Sequence, residues 1–271
     1  MADGKVVSAS FWPAPIEVFD KSSAQQAKYG DLEAAMVSTA KAVKEAKPQT
    51  IIVMSRYKFT LQDGVGYSPQ AQLRGSVEDG AGNVYKIGMA TDNLMNKAMI
   101  RQGNRIGVPL ENILDSMPTI SLKDYQLHHT AVIPLYYLAQ AGLESCQIVR
   151  LTLGKLSYED LYTLGLVVRN AAAAVGRRVA VVGSAELPAV GTTEYEKADN
   201  EVLSRCVMQS LREQRISYIQ ELGYPPKEEY ACRAAAFLLG TISGCKAVSK
   251  ELFNGVISDR YYGLTNSEFP L

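Results

Sequence analysis

The chain alternates between short apolar runs and longer segments in which apolar residues recur every three or four positions. Lys5–Trp12, rich in Val and Ser, Thr50–Ser55, Gln147–Thr152 and Arg178–Gly183 are runs of the first kind and read as strands. The continuous run Thr50–Ser55 is of the kind expected for a parallel strand buried on both faces. Between the first two, Ala24–Lys47 places Leu32, Met36, Thr39 and Val43 on one helical face. Lys41, Lys44 and Lys47 gather near its end, where cations suit the helix dipole. Ser157–Asp160 reads as a capping box opening a helix that runs to Val175, and Gly176 stands where a C-cap belongs. Strand, helix, strand across 147–183 is the signature of a parallel crossover.

The rest of the pattern is less regular. Arg56–Thr91 is glycine-punctuated, and its DG and GN pairs predict a hairpin or an excursion at the sheet edge. Asp92 caps a helix running to about Gly103, and Val108–Lys123, with Pro109 and Pro118, reads as irregular. Leu127–Ala141 begins extended and continues as a helix, with Pro134 tolerated only in its first turn. Glu194–Leu222 reads as one long helix. Lys227–Ile242 reads as an internal one, because its alanines permit close approach of neighbours. The tail from Val256 adds a strand and a docked end. The expected fold is a single α/β domain over residues 1–271, with a mostly parallel central sheet flanked by helices and an edge excursion around residues 56–91.

Composition narrows the function classes. Lys+Arg and Asp+Glu balance at 28 each, so no basic surplus calls for nucleic acid. Cys146, Cys206, Cys232 and Cys245 are far apart, without CxxC spacing, and read as a reduced, intracellular set. No segment approaches the roughly 18 apolar residues of a membrane span, and the N-terminus lacks a basic region followed by an apolar run. A cytoplasmic protein is expected.

In open α/β sheets ligands bind beyond the carboxyl ends of the strands. That rule selects Trp12–Ile16, Ser55–Phe59, Gly183–Val190 and the loop around His128–His129. His128 and His129 are the only histidines. Neighbouring residues point to opposite faces of a strand and diverge by about a hundred degrees on a helix. The pair is therefore not expected to share the metal of a facial-triad iron site, which needs two convergent imidazoles and a carboxylate. A nucleophile arrangement would take Ser184, with His129 as base and Glu186 as orienting acid. GSAEL, however, lacks the G-x-S-x-G elbow. The glycines of LQDGVGYSP and EDGAGN follow neither the dinucleotide nor the Walker spacing.

HHTAVIPLYYL, LSYEDLYTLGLVVRNA and RVAVVGSAEL, in this order and separation, together resemble the class III extradiol ring-cleavage dioxygenases of the protocatechuate 4,5-dioxygenase beta-subunit type. The likeness covers most of the chain. The family's histidine in a P-H-P-like turn after the first strand is replaced by Trp12. That of an S-P-H-like turn falls at Tyr57 in Ser55-Arg56-Tyr57, and the catalytic histidine closing S-G-x-L-S-H falls at Ala189. His129 matches the family's DH motif, with His128 in place of the acid. Glu229 with Arg233 matches the E-x-x-x-R-like helix that carries the glutamate ligand.

The resemblance thus implies a degenerate site at Trp12, Tyr57, His129, Ala189 and Glu229, with Trp12 and Tyr57 filling space that a metal and a ring substrate need. The pattern of losses is similar to the metal-free alpha subunit of 2-aminophenol 1,6-dioxygenase. That similarity implies no cofactor in this chain, Fe(II) in a homologous catalytic beta subunit, and a heterotetramer of two alpha and two beta chains cleaving an aminophenol or catechol-type ring. Two alternatives stay open: an autonomous hydrolase-like enzyme using Ser184, His129 and Glu186, and a small-molecule binding module in the same cleft.

Overall fold

The computed structural model describes residues 4–56, 61, 64–113, 126–222 and 229–270. In chain order its strands are β1 (Lys5–Trp12), β2 (Thr50–Ser55), β3 (Val65–Tyr67), β4 (Gln72–Glu78), β5 (Val84–Ala90), β6 (Leu110–Asn112), β7 (Gln147–Thr152), β8 (Arg178–Ser184), β9 (Val248–Ile257) and β10 (Arg260–Glu268). Its helices are α1 (Ser23–Glu45), α2 (Asn93–Ile106), α3 (His129–Leu138), α4 (Tyr158–Val175), α5 (Glu194–Glu213), the single turn α6 (Ser217–Gln220) and α7 (Glu229–Ile242).

The four apolar runs become β7, β2, β8 and β1, adjacent and parallel in the middle of an eight-stranded sheet ordered β6-β3-β7-β2-β8-β1-β10-β9. Antiparallel pairing enters on both flanks, through β3 on β7 and through the β9–β10 hairpin on β1. The crossover from β7 through α4 to β8 is present, with β2 lying between the two strands and pairing with both. Alternate side chains of these strands feed two core layers. One holds Phe11, Ile52, Met54, Val149, Leu151, Val179 and Val181 with residues of α2, α4, α5 and α7. The other holds Trp12, Ile51, Val53, Ile148, Ala180 and Val182 with residues of α1, α3 and the β4–β5 hairpin. The expected excursion is this hairpin, a separate two-stranded sheet, together with the short strand β3, which pairs with the edge strand β6.

Local capping rules hold where they apply. The Asp92 carboxylate accepts from Met95 N at 3.0 Å, and its other oxygen accepts from buried Thr50 at 2.6 Å and pairs with Arg177 at 3.1 Å. Ser157 accepts from Asp160 N at 3.0 Å, and Gly176 ends α4 at φ 68°. The alanine-rich α7 is internal: Ala231, Ala234, Ala235 and Ala236 are fully buried. It crosses α4 where a Cβ at Gly240 would run into the Tyr162 carbonyl, and one at Gly165 would meet the backbone of Gly240.

Five expectations are corrected. First, α2 continues past Gly103 to Ile106 and stops at Gly107, φ 81°, because Gly103 packs closely against Leu110 and the Val108 carbonyl and is not a cap. Second, α1 ends at Glu45, with Lys47 left-handed at φ 50°. Third, Pro134 sits in the second turn of α3, where it removes the bond to the Thr130 carbonyl. Thr130 through Leu135 are all buried, so packing offsets the lost bond. Fourth, the long helix breaks after Glu213. Gln214 turns left-handed at φ 57° while its side chain donates to Ala247 O at 2.8 Å and Ser249 Oγ at 3.2 Å. Fifth, the tail supplies two strands. The half-exposed β9 carries Lys250, Glu251 and Asn254, so it shows no apolar run, as suits a sheet edge.

Because the α4–α7 crossing leaves no room for a methyl group, Gly240→Ala is expected to destabilise the chain by about 1–3 kcal/mol or more, the usual cost of overpacking. Urea unfolding of the variant beside wild type measures it.

Candidate functional site

The registers align four residues across the carboxyl ends of the parallel strands. Thr152 pairs with Ser55, Ser55 with Ser184, and Ser184 with Trp12. All four are buried, and each polar group is held by its own surroundings. The Thr152 hydroxyl accepts from Gly66 N at 3.0 Å, and the Ser55 hydroxyl donates to Arg56 O at 3.4 Å. The Trp12 indole N–H donates to Ser10 Oγ at 2.7 Å. The Trp12 carbonyl accepts both the Ser184 hydroxyl, at 3.3 Å, and Ala185 N, at 3.2 Å. This row is sealed.

The open part of the rim lies beside it, where α3 starts. His128 is the N-cap of α3, in extended backbone at φ −68° and ψ 154°. Its Nδ1 accepts from Thr130 N at 3.4 Å and lies 2.9 Å from the Thr130 hydroxyl, which donates to it. Accepting at Nδ1 places the neutral ring's proton on Nε2. Burial, then the neighbouring His129 and Arg56, push the His128 pKa down to about 4. His129 opens the first turn, and its Nε2 lies 3.4 Å from Glu186 Oε1, with the two side chains 29% and 34% exposed. The other Glu186 oxygen is 3.8 Å from Arg260 Nη1, which donates to Leu187 O at 3.0 Å. The hydrogen bond from His129 and, against burial, the Arg260 charge hold the Glu186 carboxyl below its ordinary pKa.

The two histidines do not diverge as expected: their ring centroids are 4.0 Å apart with a 41° tilt. His128 lies outside the helix and His129 inside it, so neither strand nor helix spacing governs the pair. Ala189 forms an antiparallel bridge with Arg260 at the start of β10. Glu229 opens the described part of α7, and Arg233, one turn on, donates to the carbonyls of Gly154 at 2.8 Å and Leu156 at 2.6 Å. Tyr57 lies outside the described residues. Arg56, just before it, stacks on the Tyr230 ring at 5.0 Å. Of the three residues of the nucleophile arrangement, the structure brings Glu186 to His129, whereas the Ser184 hydroxyl is buried and directed to the Trp12 carbonyl. Sequence reasoning missed Arg260 and Tyr230 and reached Arg56 only as part of the stretch Ser55–Phe59. No local pattern marks Arg260, which comes from a strand that was not anticipated in full.

A family model described as the catalytic LigB subunit of aromatic ring-opening dioxygenase matches residues 14–265. No curated protein matches the chain. Among solved structures, the crystal structure of the uncharacterized protein JW3007 from Escherichia coli K12 is similar in fold, with a TM-score of 0.57 and 14% identity over 96% of this chain and 99% of that one. No described helix is long and apolar enough to cross a membrane.

An iron centre of facial-triad type takes two imidazoles and a carboxylate. Among the described residues at the strand ends, Trp12 offers an indole N–H, which only donates and is already bound to Ser10. Ala189 offers no donor atom. His128 has one ring nitrogen held on Thr130, and the outer nitrogen of His129 faces Glu186. Trp12 and Ala189, at two of the positions that the resemblance assigns to histidines, therefore bring no ligand to such a centre.

The low pKa of His128 gives a pH signature. In the unfolded chain the ring titrates near 6.5, and in the folded chain near 4, so between those values the unfolded state binds the extra proton. The contribution of His128 to stability is complete above about pH 6.5 and is lost as pH falls through about 4, with a limiting slope of about 1.4 kcal/mol per pH unit. His128→Asn keeps a capping side chain and is expected to flatten this part of the profile. Urea unfolding of both proteins at several pH values across that window checks it.

Proposed function

The chain belongs to the family of LigB subunits of aromatic ring-opening dioxygenases, and from that premise we propose that it is a non-catalytic member supporting a homologous iron-bearing subunit. The observation that carries the reading is the sealed row at the strand ends. Trp12 stands where the resemblance implies a metal-binding histidine, and its side chain is fully buried core with its N–H satisfied inside the chain. Ala189 stands where the resemblance implies the acid–base histidine. Tyr57 and Glu229 complete the degenerate set by sequence position. Fe(II) then belongs to the partner, and the assembly follows as two copies of each subunit acting on an aminophenol or catechol-type ring.

The hydrolase-like alternative requires the Ser184 hydroxyl against an imidazole base. Its hydrogen bond to the Trp12 carbonyl and its burial count against that use.

The experiment is expression of this chain alone and together with candidate catalytic subunits of the family. Alone, it is expected to purify without stoichiometric iron and to leave 2-aminophenol and catechols uncleaved. Together, the two chains are expected to co-purify with ring-cleaving activity. One iron per chain with ring cleavage by this chain alone overturns the proposal.

A further inference from the structure

Helix α1 presents a face that the described residues leave uncovered. Its buried stripe is Tyr29, Leu32, Met36, Thr39, Ala40 and Val43. Beside that stripe runs a shallow, mainly apolar trough of about 500 Å³, lined by Gly30, Glu33, Ala34, Val37 and Lys41 among others. Val37, at its middle, is 37% exposed. Gly30 lies in the body of the helix, where glycine weakens a helix relative to alanine. Among the described residues nothing requires it: a Cβ there would meet no atom within 4 Å, unlike the glycines of the α4–α7 crossing. Its lack of a side chain leaves room for another surface to approach that face.

The charges along the face indicate what approaches. Glu33 lies one turn before Val37 and Lys41 one turn after it, on the same stripe. The Glu33 carboxylate is held in place by Lys21 Nζ at 2.5 Å and the Tyr137 hydroxyl at 3.1 Å, while Lys41 is exposed. A second copy of α1, laid antiparallel across a two-fold axis through Val37, sets Glu33 of each copy opposite Lys41 of the other and Val37 on Val37. The small residues Gly30 and Ala34 let the helices approach. A two-fold contact needs this self-complementarity, and a parallel arrangement would place like charges together. We infer that α1 is the contact through which two copies of this chain associate. The inference agrees with the proposed assembly, which holds two copies of this chain, but does not rest on it, since it concerns the chain with itself.

Sedimentation equilibrium on the full chain tests it. Wild type is expected at the mass of two chains at micromolar concentration. Val37→Glu, an exposed substitution, is expected to weaken association at least tenfold with the unfolding midpoint of the chain unchanged. Gly30→Ala separates packing from folding: it should raise the unfolding midpoint measured at monomeric dilution, yet weaken association. Glu33→Lys and Lys41→Glu should each be monomeric alone and form a mixed dimer when combined, circular dichroism confirming that each is folded. A wild type that stays monomeric overturns the inference. So does a dimer that Val37→Glu leaves intact, since it forms elsewhere. Failure of the mixed variants to associate overturns the antiparallel register. If wild type is monomeric alone and Val37→Glu abolishes binding to a catalytic subunit, the face belongs to that partner and the inference is wrong. That result would leave the subunit reading standing.

Discussion

Everything else in the molecule follows from four parallel strands buried on both faces. With apolar layers above and below, β7, β2, β8 and β1 can satisfy their backbone groups only on the strands beside them. Thr152, Ser55 and Ser184 close the run at its ends, while Ser8, Ser10 and Arg150 are polar side chains buried along the strands. The same constraint fixes what can happen at the rim. A hydroxyl at the end of a two-sided strand is itself nearly out of water and must find a partner close by. All three do so, on the backbone of an adjacent segment or the next residue. A serine or threonine so held is part of the sheet's own closure.

Much of the fold was legible because the decisive signals are local. An unbroken apolar run can hardly be anything but a buried segment, and a cap such as Asp92 or Ser157 reads over three residues. What failed was tertiary. The edge strand β9 faces water over much of its length, so its polar residues hide it, and its place is set by pairing with β10. The break at Gln214 depends on carbonyl and hydroxyl partners more than thirty residues away. Pro134 contradicts a sound local rule because its helix is buried nearly all round, which outweighs one lost hydrogen bond.

The locus of the site was legible from the rule that ligands sit beyond strand ends, but its pairings were not. His129 and Glu186 are 57 residues apart and meet because α3 begins beside the end of β8. The closeness of the two imidazoles arises from the junction between extended and helical backbone at His128, a geometry that neither periodicity contains.

The rim thus divides in two, and the magnitudes say which half the fold depends on. A buried tryptophan such as Trp12 is worth several kcal/mol of packing, by the usual 3–5 kcal/mol cost of truncating one. The His129–Glu186 pair, about a third exposed and 3.4 Å apart, contributes at most about 1 kcal/mol after solvent screening. A side chain at the end of β1 that forgoes ligand contact can therefore repay the sheet in stability. A partly exposed hydrogen-bonded pair at the start of α3 has little structural value to lose or gain. Stability accounts for the closed half. The open half, His129 with Glu186 and Arg260, is where the described residues keep polar groups about a third exposed at the end of the sheet.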